Sequence, residues 1–161
     1  TTDRYKVKFL TPNRGSNDYV GQPARMPALG GTSAEPLRFL DFLIRDPIRT
    51  VMLHEAGVPV TVPAPERYAI HKLIVAERRD RSSSKIDKDI AQSSFLIEAM
   101  TERRAADLSS AWQEAWERGP TWRQDLANGL MRLDKDIAER LEKAVKAGAA
   151  KRKVKVGWPA A

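Results

Sequence analysis

The chain has 161 residues, of which 42% are hydrophobic and 30% are charged, and its formal net charge is +7. This composition is typical of a globular domain with one buried core, and it excludes a wholly disordered chain. The chain has no cysteine, which excludes disulfides, thiolate zinc sites and cysteine nucleophiles. No apolar run approaches the roughly 18 residues that a membrane-spanning helix needs, so we expect a cytoplasmic protein with no membrane partner.

The beginning of the chain predicts little regular structure. Residues 5–10 alternate apolar and polar side chains, which indicates a half-buried strand. Residues 11–32 are rich in proline, glycine, asparagine and serine and predict a long irregular segment. Residues 34–45 have an apolar stripe after a Thr-Ser pair that can cap a helix, so a short helix is expected there.

A pair of strands follows. Residues 49–53 and 59–62 are rich in β-branched side chains and are separated by a turn that contains Gly57. So few strands do not form an ordinary sheet by themselves. Because the sequence also begins at Thr1 and not at methionine, we expect that a preceding amino-terminal region supplies the rest of the sheet.

The remainder of the chain is predicted to be helical. Apolar residues at three- and four-residue steps indicate four helices, over residues 66–79, 86–103, 105–118 and 121–147. The predicted fold class is therefore α+β, with a few amino-terminal strands at the edge of an incomplete sheet and a four-helix carboxy-terminal bundle.

Three regions follow from this pattern. The predicted regions are a partial α/β sheet region at 1–64, a helical domain at 65–147 and a basic flexible tail at 148–161. The edge of the incomplete sheet suggests pairing between two copies of the chain, so a homo-oligomer is one expected partner state.

The positive charge is concentrated near the carboxy terminus. Six of the 28 basic residues follow Glu142, and residues 1–142 contain the other 22 together with all 21 acidic residues, a net charge of +1. The six are Lys143, Lys146, Lys151, Arg152, Lys153 and Lys155. Such a segment either solvates the end of the chain or binds anions. One hypothesis is therefore a non-catalytic helical module that binds RNA or an acidic protein partner through residues 143–155.

Residues 65–90 carry the most informative arrangement of charges. Lys72 and Arg79 are seven residues apart on one helix and share a face, and His71 and Arg78 share the neighbouring face. Asp89 is in the first turn of the next helix, where it can cap that helix or pair with one of these bases. A lysine, an arginine and an aspartate that orients them suit the binding of a triphosphate.

Two plainer interpretations exist for the same residues. Lys72 and Arg78 can belong to an ordinary solvated helix face, and Asp89 can serve only as a helix cap. If Lys72 contacts a phosphate, its ammonium group should be exposed, Asp89 should be within reach, and the apolar side chains behind it should be buried. Those side chains are Ile70, Leu73 and Ile74.

No catalytic or metal-binding set is predicted within the chain. Gly15-Ser16 resembles the start of a two-metal site, but no pair of carboxylates one residue apart on a strand follows it. Asp87 and Asp89 are at a helix start, and Asp134 and Asp136 point in different directions on a helix.

Three segments carry a family resemblance: Phe9-Leu-Thr-Pro-Asn-Arg-Gly, Pro65-Glu-Arg-Tyr-Ala-Ile-His-Lys-Leu and Lys88-Asp-Ile. With them, roughly residues 5–145 resemble the carboxy-terminal half of bacterial nucleotidyltransferase-fold proteins, distantly similar to abortive-infection toxin nucleotidyltransferases. The resemblance implies transfer of an NMP group from an NTP to an acceptor.

The resemblance also implies residue roles. The lysine that meets the nucleotide phosphates corresponds to Lys72, the arginine that follows it to Arg78 or Arg79, and the aspartate to Asp89. The metal-binding carboxylates of such proteins precede the matching segment, and a third is on the strand at residues 5–10, where this chain has lysines. Mg²⁺ and NTP are therefore expected to bind only together with an amino-terminal half, and this part alone is expected to be inactive.

Overall fold

The computed structural model describes residues 7–13 and 22–159. The chain divides into two compact units, Thr1–Arg45 and Asp46–Ala161. This division comes before the predicted boundary at residue 64. An ion pair inside the second unit is consistent with it, because Arg67 Nη2 on the first long helix lies 3.1 Å from Asp46, the first residue of that unit. None of the helices in the described residues combines the length and apolar character needed to cross a membrane.

The first unit contains a small mixed sheet. Strand β1 (Leu10–Pro12) pairs in parallel with β3 (Thr32–Leu37), and β2 (Ala24–Met26) pairs antiparallel with the other edge of β3. A 3-10 helix (Pro27–Leu29) connects β2 to β3. The predicted strand at residues 5–10 begins outside the described residues, and within them the strand begins only at Leu10.

The prediction of a helix over residues 34–45 is wrong for its first part. Ala34 and Pro36 are buried on β3 while Glu35 between them is exposed, so burial follows the two-residue period of a strand. Only Leu40–Leu43 forms a helix, α1. The apolar side chains of this region are compatible with either structure, and pairing with β1 and β2 decides in favour of the strand.

The second unit begins with the predicted pair of strands. Strands β4 (Ile48–Met52) and β5 (Val58–Val62) form an antiparallel hairpin in which Ile48 is opposite Val62. Gly57 has a φ of +90° in the connecting turn, a conformation that glycine adopts without steric cost. The hairpin prediction is therefore confirmed.

The rest of the second unit is helical, as the α+β prediction requires. Within its described residues, this unit has five helices: α2 (Pro65–Arg78), α3 (Lys85–Arg103), α4 (Ala105–Glu117), α5 (Pro120–Leu130) and α6 (Lys135–Arg152). The first three agree closely with the predicted ranges.

The predicted single helix over residues 121–147 is wrong, because two helices occupy this region. The backbone leaves the helix after Leu130 and begins α6 at Lys135. Leu133 in the connection is buried, as are Leu130 before it and Ile137 after it. The apolar period thus continues through the turn and conceals it in the sequence.

Helix α2 is at the centre of the helical unit. It contacts α3, α4 and α5, and its apolar residues Ala69, Ile70, Leu73 and Ile74 are fully buried. Helix α3 runs antiparallel to it, because Ser93 Oγ donates a hydrogen bond of 2.9 Å to the carbonyl oxygen of Ala69 while Asp89 is opposite Lys72. The α2–α3 pair is therefore a helical hairpin with a fixed register.

Residues 148–158 are packed and differ in this from the predicted flexible tail at 148–161. Helix α6 continues to Arg152, and Val145 and Ala149 on it are buried. Beyond the helix, Trp112 Nε1 donates a hydrogen bond of 2.9 Å to the carbonyl oxygen of Gly157, and the ring of Trp158 is 4.5 Å from that of Trp112. Aromatic packing against α4 therefore holds this segment in place.

Gly129 allows α5 to approach α2 closely. A Cβ atom at this position would be 2.8 Å from the carbonyl oxygen of Leu73 and 2.9 Å from its Cβ atom. Both atoms are at the backbone of the central helix and cannot rotate away, so the two helices would have to separate.

We expect Gly129→Ala to lower the free energy of unfolding by about 1–3 kcal/mol, the usual cost of overpacking a core. This loss would occur although alanine favours the helical state over glycine by about 1 kcal/mol. Urea denaturation of both proteins measures the difference. Gln124→Ala, on the exposed face of the same helix, is the control and should change stability by less than about 0.5 kcal/mol. An increase in stability for Gly129→Ala would contradict the close approach.

Candidate phosphate-binding site

The antiparallel α2–α3 hairpin brings three of the predicted site residues together. Lys72 Nζ is 2.5 Å from Asp89 Oδ1, and Arg79 Nε is 2.5 Å from Asp89 Oδ2. Lys72 and Arg79 project from the same face of α2 because they are two helical turns apart. One carboxylate of α3 thus accepts a hydrogen bond from a cation on each of its two oxygens.

The carboxylate is more deeply buried than its partners. The side chain of Asp89 is 2% exposed, whereas those of Lys72 and Arg79 are 14% and 29% exposed. Burial raises the pKa of Asp89, but the hydrogen bonds from Arg79 and Lys72 and their positive charges outweigh burial and lower the pKa overall. Asp89 is therefore ionised at neutral pH and orients both cations.

The expectation for Lys72 is met only in part. Ile70, Leu73 and Ile74 are fully buried behind it and Asp89 is within reach, as expected. Its side chain, however, is only 14% exposed, so the predicted exposure is not confirmed. Besides Asp89, the ring of Tyr68 one turn earlier on α2 has its centroid 5.0 Å from Nζ, a cation–π distance.

Arg78 is placed elsewhere. Its Nη1 atom is 3.4 Å from Asp125 Oδ2 on α5, so this arginine connects α2 to α5 and not to Asp89. Of the two arginines that the resemblance left open, the structure therefore brings Arg79 to the predicted cluster. The difference of one residue corresponds to about 100° around the helix axis, which directs the two side chains to different neighbours.

His71 is next to the cluster but is not part of its hydrogen bonding. Its Nδ1 atom is buried and has no hydrogen-bond partner within the described residues. Burial, with a smaller effect from the charge of Lys72, lowers the pKa of His71 from 6.5 to about 4. The imidazole is thus neutral at pH 7 and adds no charge beside Lys72.

The basic residues near the carboxy terminus form no single flexible cluster. Arg152 Nη1 donates a hydrogen bond of 2.9 Å to Ser110 Oγ on α4, and Lys146 Nζ lies 2.5 Å from Glu142. The side chains of Lys143, Lys151, Lys153 and Lys155 are exposed.

The described residues do not match a metal site. They contain no group of three or more histidine, aspartate or glutamate side chains that could hold a metal ion. Gly15 and Ser16 lie outside the described residues. Asp89 is already paired with two cations, so the cluster as a whole is positively charged, which favours anion binding over metal binding.

Comparison with known proteins assigns the chain to a family. A nucleotidyltransferase family model matches residues 1–117, which is more than half of the chain and includes the cluster of Lys72, Arg79 and Asp89. The chain therefore belongs to this nucleotidyltransferase family. No curated protein and no solved structure matches the chain.

Removing the negative charge of Asp89 should destabilise the fold. In Asp89→Asn, two cations face each other across a neutral amide, and we expect a loss of about 2–3 kcal/mol in the free energy of unfolding. Denaturant unfolding at pH 7 measures it. Asp87→Asn is the matched control, since Asp87 is exposed in the first turn of the same helix and contributes about 0.5 kcal/mol there. Equal losses for the two variants would contradict a special role for Asp89.

His71 should make the stability depend on pH in a defined range. The unfolded state takes up a proton near pH 6.5, whereas the folded state does so near pH 4. Stability should therefore fall by about 3 kcal/mol as the pH is lowered from 6.5 to 4. The contribution of Asp89 to stability is lost only at lower pH, because the pKa of Asp89 in the folded state is below its ordinary value.

Unfolding free energies measured across this range test the assignment. His71→Gln should remove most of the decrease between pH 6.5 and 4. His54→Gln, which replaces an exposed imidazole at the hairpin turn, should leave the decrease unchanged. A pH profile that is identical for wild type and His71→Gln would show that His71 is not the titrating group.

Proposed function

We propose that Lys72, Arg79 and Asp89 of this nucleotidyltransferase-family chain bind the triphosphate of an NTP whose NMP group is transferred to an acceptor. Family membership supports nucleotidyl transfer as the general activity. The assignment of the triphosphate to this cluster rests on the charges and the geometry of these three side chains.

The observation that carries the proposal is the excess of positive charge around one buried carboxylate. Asp89 contributes one negative charge, and Lys72 and Arg79 contribute two positive charges, so the cluster has a net charge of +1. One cation would suffice to neutralise Asp89. A second cation held on the same carboxylate leaves an uncompensated positive charge that attracts an anion.

The donor groups also suit phosphate oxygens. The ammonium group of Lys72 has three N–H donors, of which the bond to Asp89 uses one. Arg79 contacts Asp89 through Nε, which leaves the two terminal amino groups of its guanidinium outside that bond. A point charge and a planar fork can therefore contact adjacent phosphate oxygens while Asp89 holds both in position.

Asp89 is a positioning residue in this proposal. It touches the two cations, and they touch the phosphates. We assign no described residue to the chemical step, and no described residue to a divalent metal ion. Mg²⁺, if the transfer uses it, is held by groups outside this cluster.

An alternative proposal is a non-catalytic module that binds RNA or an acidic protein through residues 143–155. The exposed lysines of this segment support it. Arg152, in contrast, forms hydrogen bonds within the protein, and Trp158 just after the segment packs on Trp112. These two contacts favour a structural role for both residues. Pairing of two copies through a sheet edge remains a prediction as well.

The proposal predicts that Lys72→Met weakens triphosphate binding. Methionine retains most of the aliphatic stem and removes the charge. The binding free energy for ATP, CTP, GTP and UTP should therefore become less favourable by about 1.5–3 kcal/mol, which is a roughly 10- to 150-fold loss of affinity. Titration calorimetry of the full-length protein with each NTP measures the loss.

Stability is measured in parallel, since Lys72→Met also leaves Asp89 with one cation in place of two. Lys85→Met is the control, because it removes an exposed lysine at the start of α3. If folded Lys72→Met bound every NTP as tightly as wild type does, Lys72 would have only a structural role.

A further inference from the structure

We infer that a groove between α2 and α3, directly beside Lys72, binds the nucleobase of the NTP. This inference rests on the proposed function and extends it, because it names the part of the chain that reads the nucleotide beyond its phosphates. The groove has a volume of about 510 Å³, within the range of small-molecule sites. Its lining residues are Tyr68, Lys88, Ala91, Gln92, Phe95 and Leu96.

Tyr68 joins the groove to the cationic cluster. Its ring forms part of the groove wall and has its centroid 5.0 Å from Lys72 Nζ. On the opposite helix, Lys88 lines the groove and is adjacent in sequence to Asp89. A nucleotide with its triphosphate at Lys72 and Arg79 would therefore have its base one helical turn away, in the groove.

Phe95 provides an aromatic surface that the fold itself does not use. Its side chain is 71% exposed, although phenylalanine is among the residues most often buried. An exposed aromatic ring in a groove is a platform on which a base can stack, since every base has a π-face. Tyr68 offers a second ring in the same groove.

Gln92 provides a polar group that lacks a partner. Its Oε1 atom is buried and accepts no hydrogen bond from the described residues. A buried acceptor without a donor is energetically unfavourable. An amino or imino group on the edge of a base would supply that donor, and the side-chain amide next to it can donate in return.

The neighbouring groove on the other side of α3 is unsuited to a nucleotide. It is larger, with a volume of about 790 Å³, and Phe95 lies at its border as well. Four carboxylates line it, from Asp87, Glu98, Asp134 and Asp136, against one arginine. This negative charge would repel a triphosphate, whereas the groove at Tyr68 contains Lys88 and adjoins Lys72.

The test compares whole nucleotides with inorganic triphosphate, which has no base. Calorimetry with ATP, CTP, GTP, UTP and inorganic triphosphate is carried out on the full-length protein. For Phe95→Ala we expect at least a fivefold loss of affinity for the NTP that binds best, and less than a twofold change for inorganic triphosphate. Lys72→Met should weaken both. This contrast separates the base from the phosphates.

Three further variants make the result specific. Phe95→Tyr keeps the ring and should retain wild-type affinity. Met131→Ala shortens an equally exposed apolar side chain outside the groove and should have no effect. Gln92→Leu is close in size but cannot form hydrogen bonds, so the differences in affinity among the four NTPs should become smaller.

The two proposals fail in different ways. The base site would be overturned if Phe95→Ala lost affinity for NTP and inorganic triphosphate to the same extent, or if neither affinity changed. Both outcomes would leave the phosphate site intact. If Lys72→Met bound NTP and inorganic triphosphate as tightly as wild type does, the proposed phosphate site would be wrong. The base site depends on the phosphate site and would then be wrong as well.

Discussion

The buried carboxylate of Asp89 is the constraint on which the arrangement of the helical unit depends. An ionised group that is 2% exposed is tolerated only when it is paired and hydrogen-bonded, and here a cation from α2 meets each of its oxygens. Both cations therefore project from one face of α2, and their contacts with Asp89 fix the register of α3, whose antiparallel direction follows from the short connection between the two helices. The hydrogen bond from Ser93 to Ala69 one turn further on is consistent with that register.

Much of the cluster could be predicted because it depends on local periodicity. A spacing of seven residues places Lys72 and Arg79 on one face of any helix, and a short break before the next helix returns Asp89 to that face. The choice between Arg78 and Arg79 could not be made from the sequence, since it depends on the position of α5, whose Asp125 takes Arg78. Tyr68 is not among the predicted site residues, although its spacing of four residues from Lys72 places both side chains on one face of the helix.

The errors in the fold arise where distant parts of the chain decide local structure. Residues 34–37 are apolar enough for a helix, and only pairing with β1 and β2 makes them a strand. The turn after Leu130 is hidden because buried Leu133 continues the helical period. The packed carboxy-terminal segment depends on Trp112, more than forty residues away, a contact that composition alone does not reveal.

The helical hairpin of α2 and α3 has a consequence for the order of folding. Lys72 and Asp89 are only 17 residues apart, so closing the chain between them costs little entropy. Contacts that are close in sequence form early in folding, whereas the packing of Gly157 on Trp112 joins residues 45 apart. The charged cluster is therefore a local feature of the chain that needs only two consecutive helices and their short connection, whereas the carboxy-terminal packing needs residues far apart in the sequence.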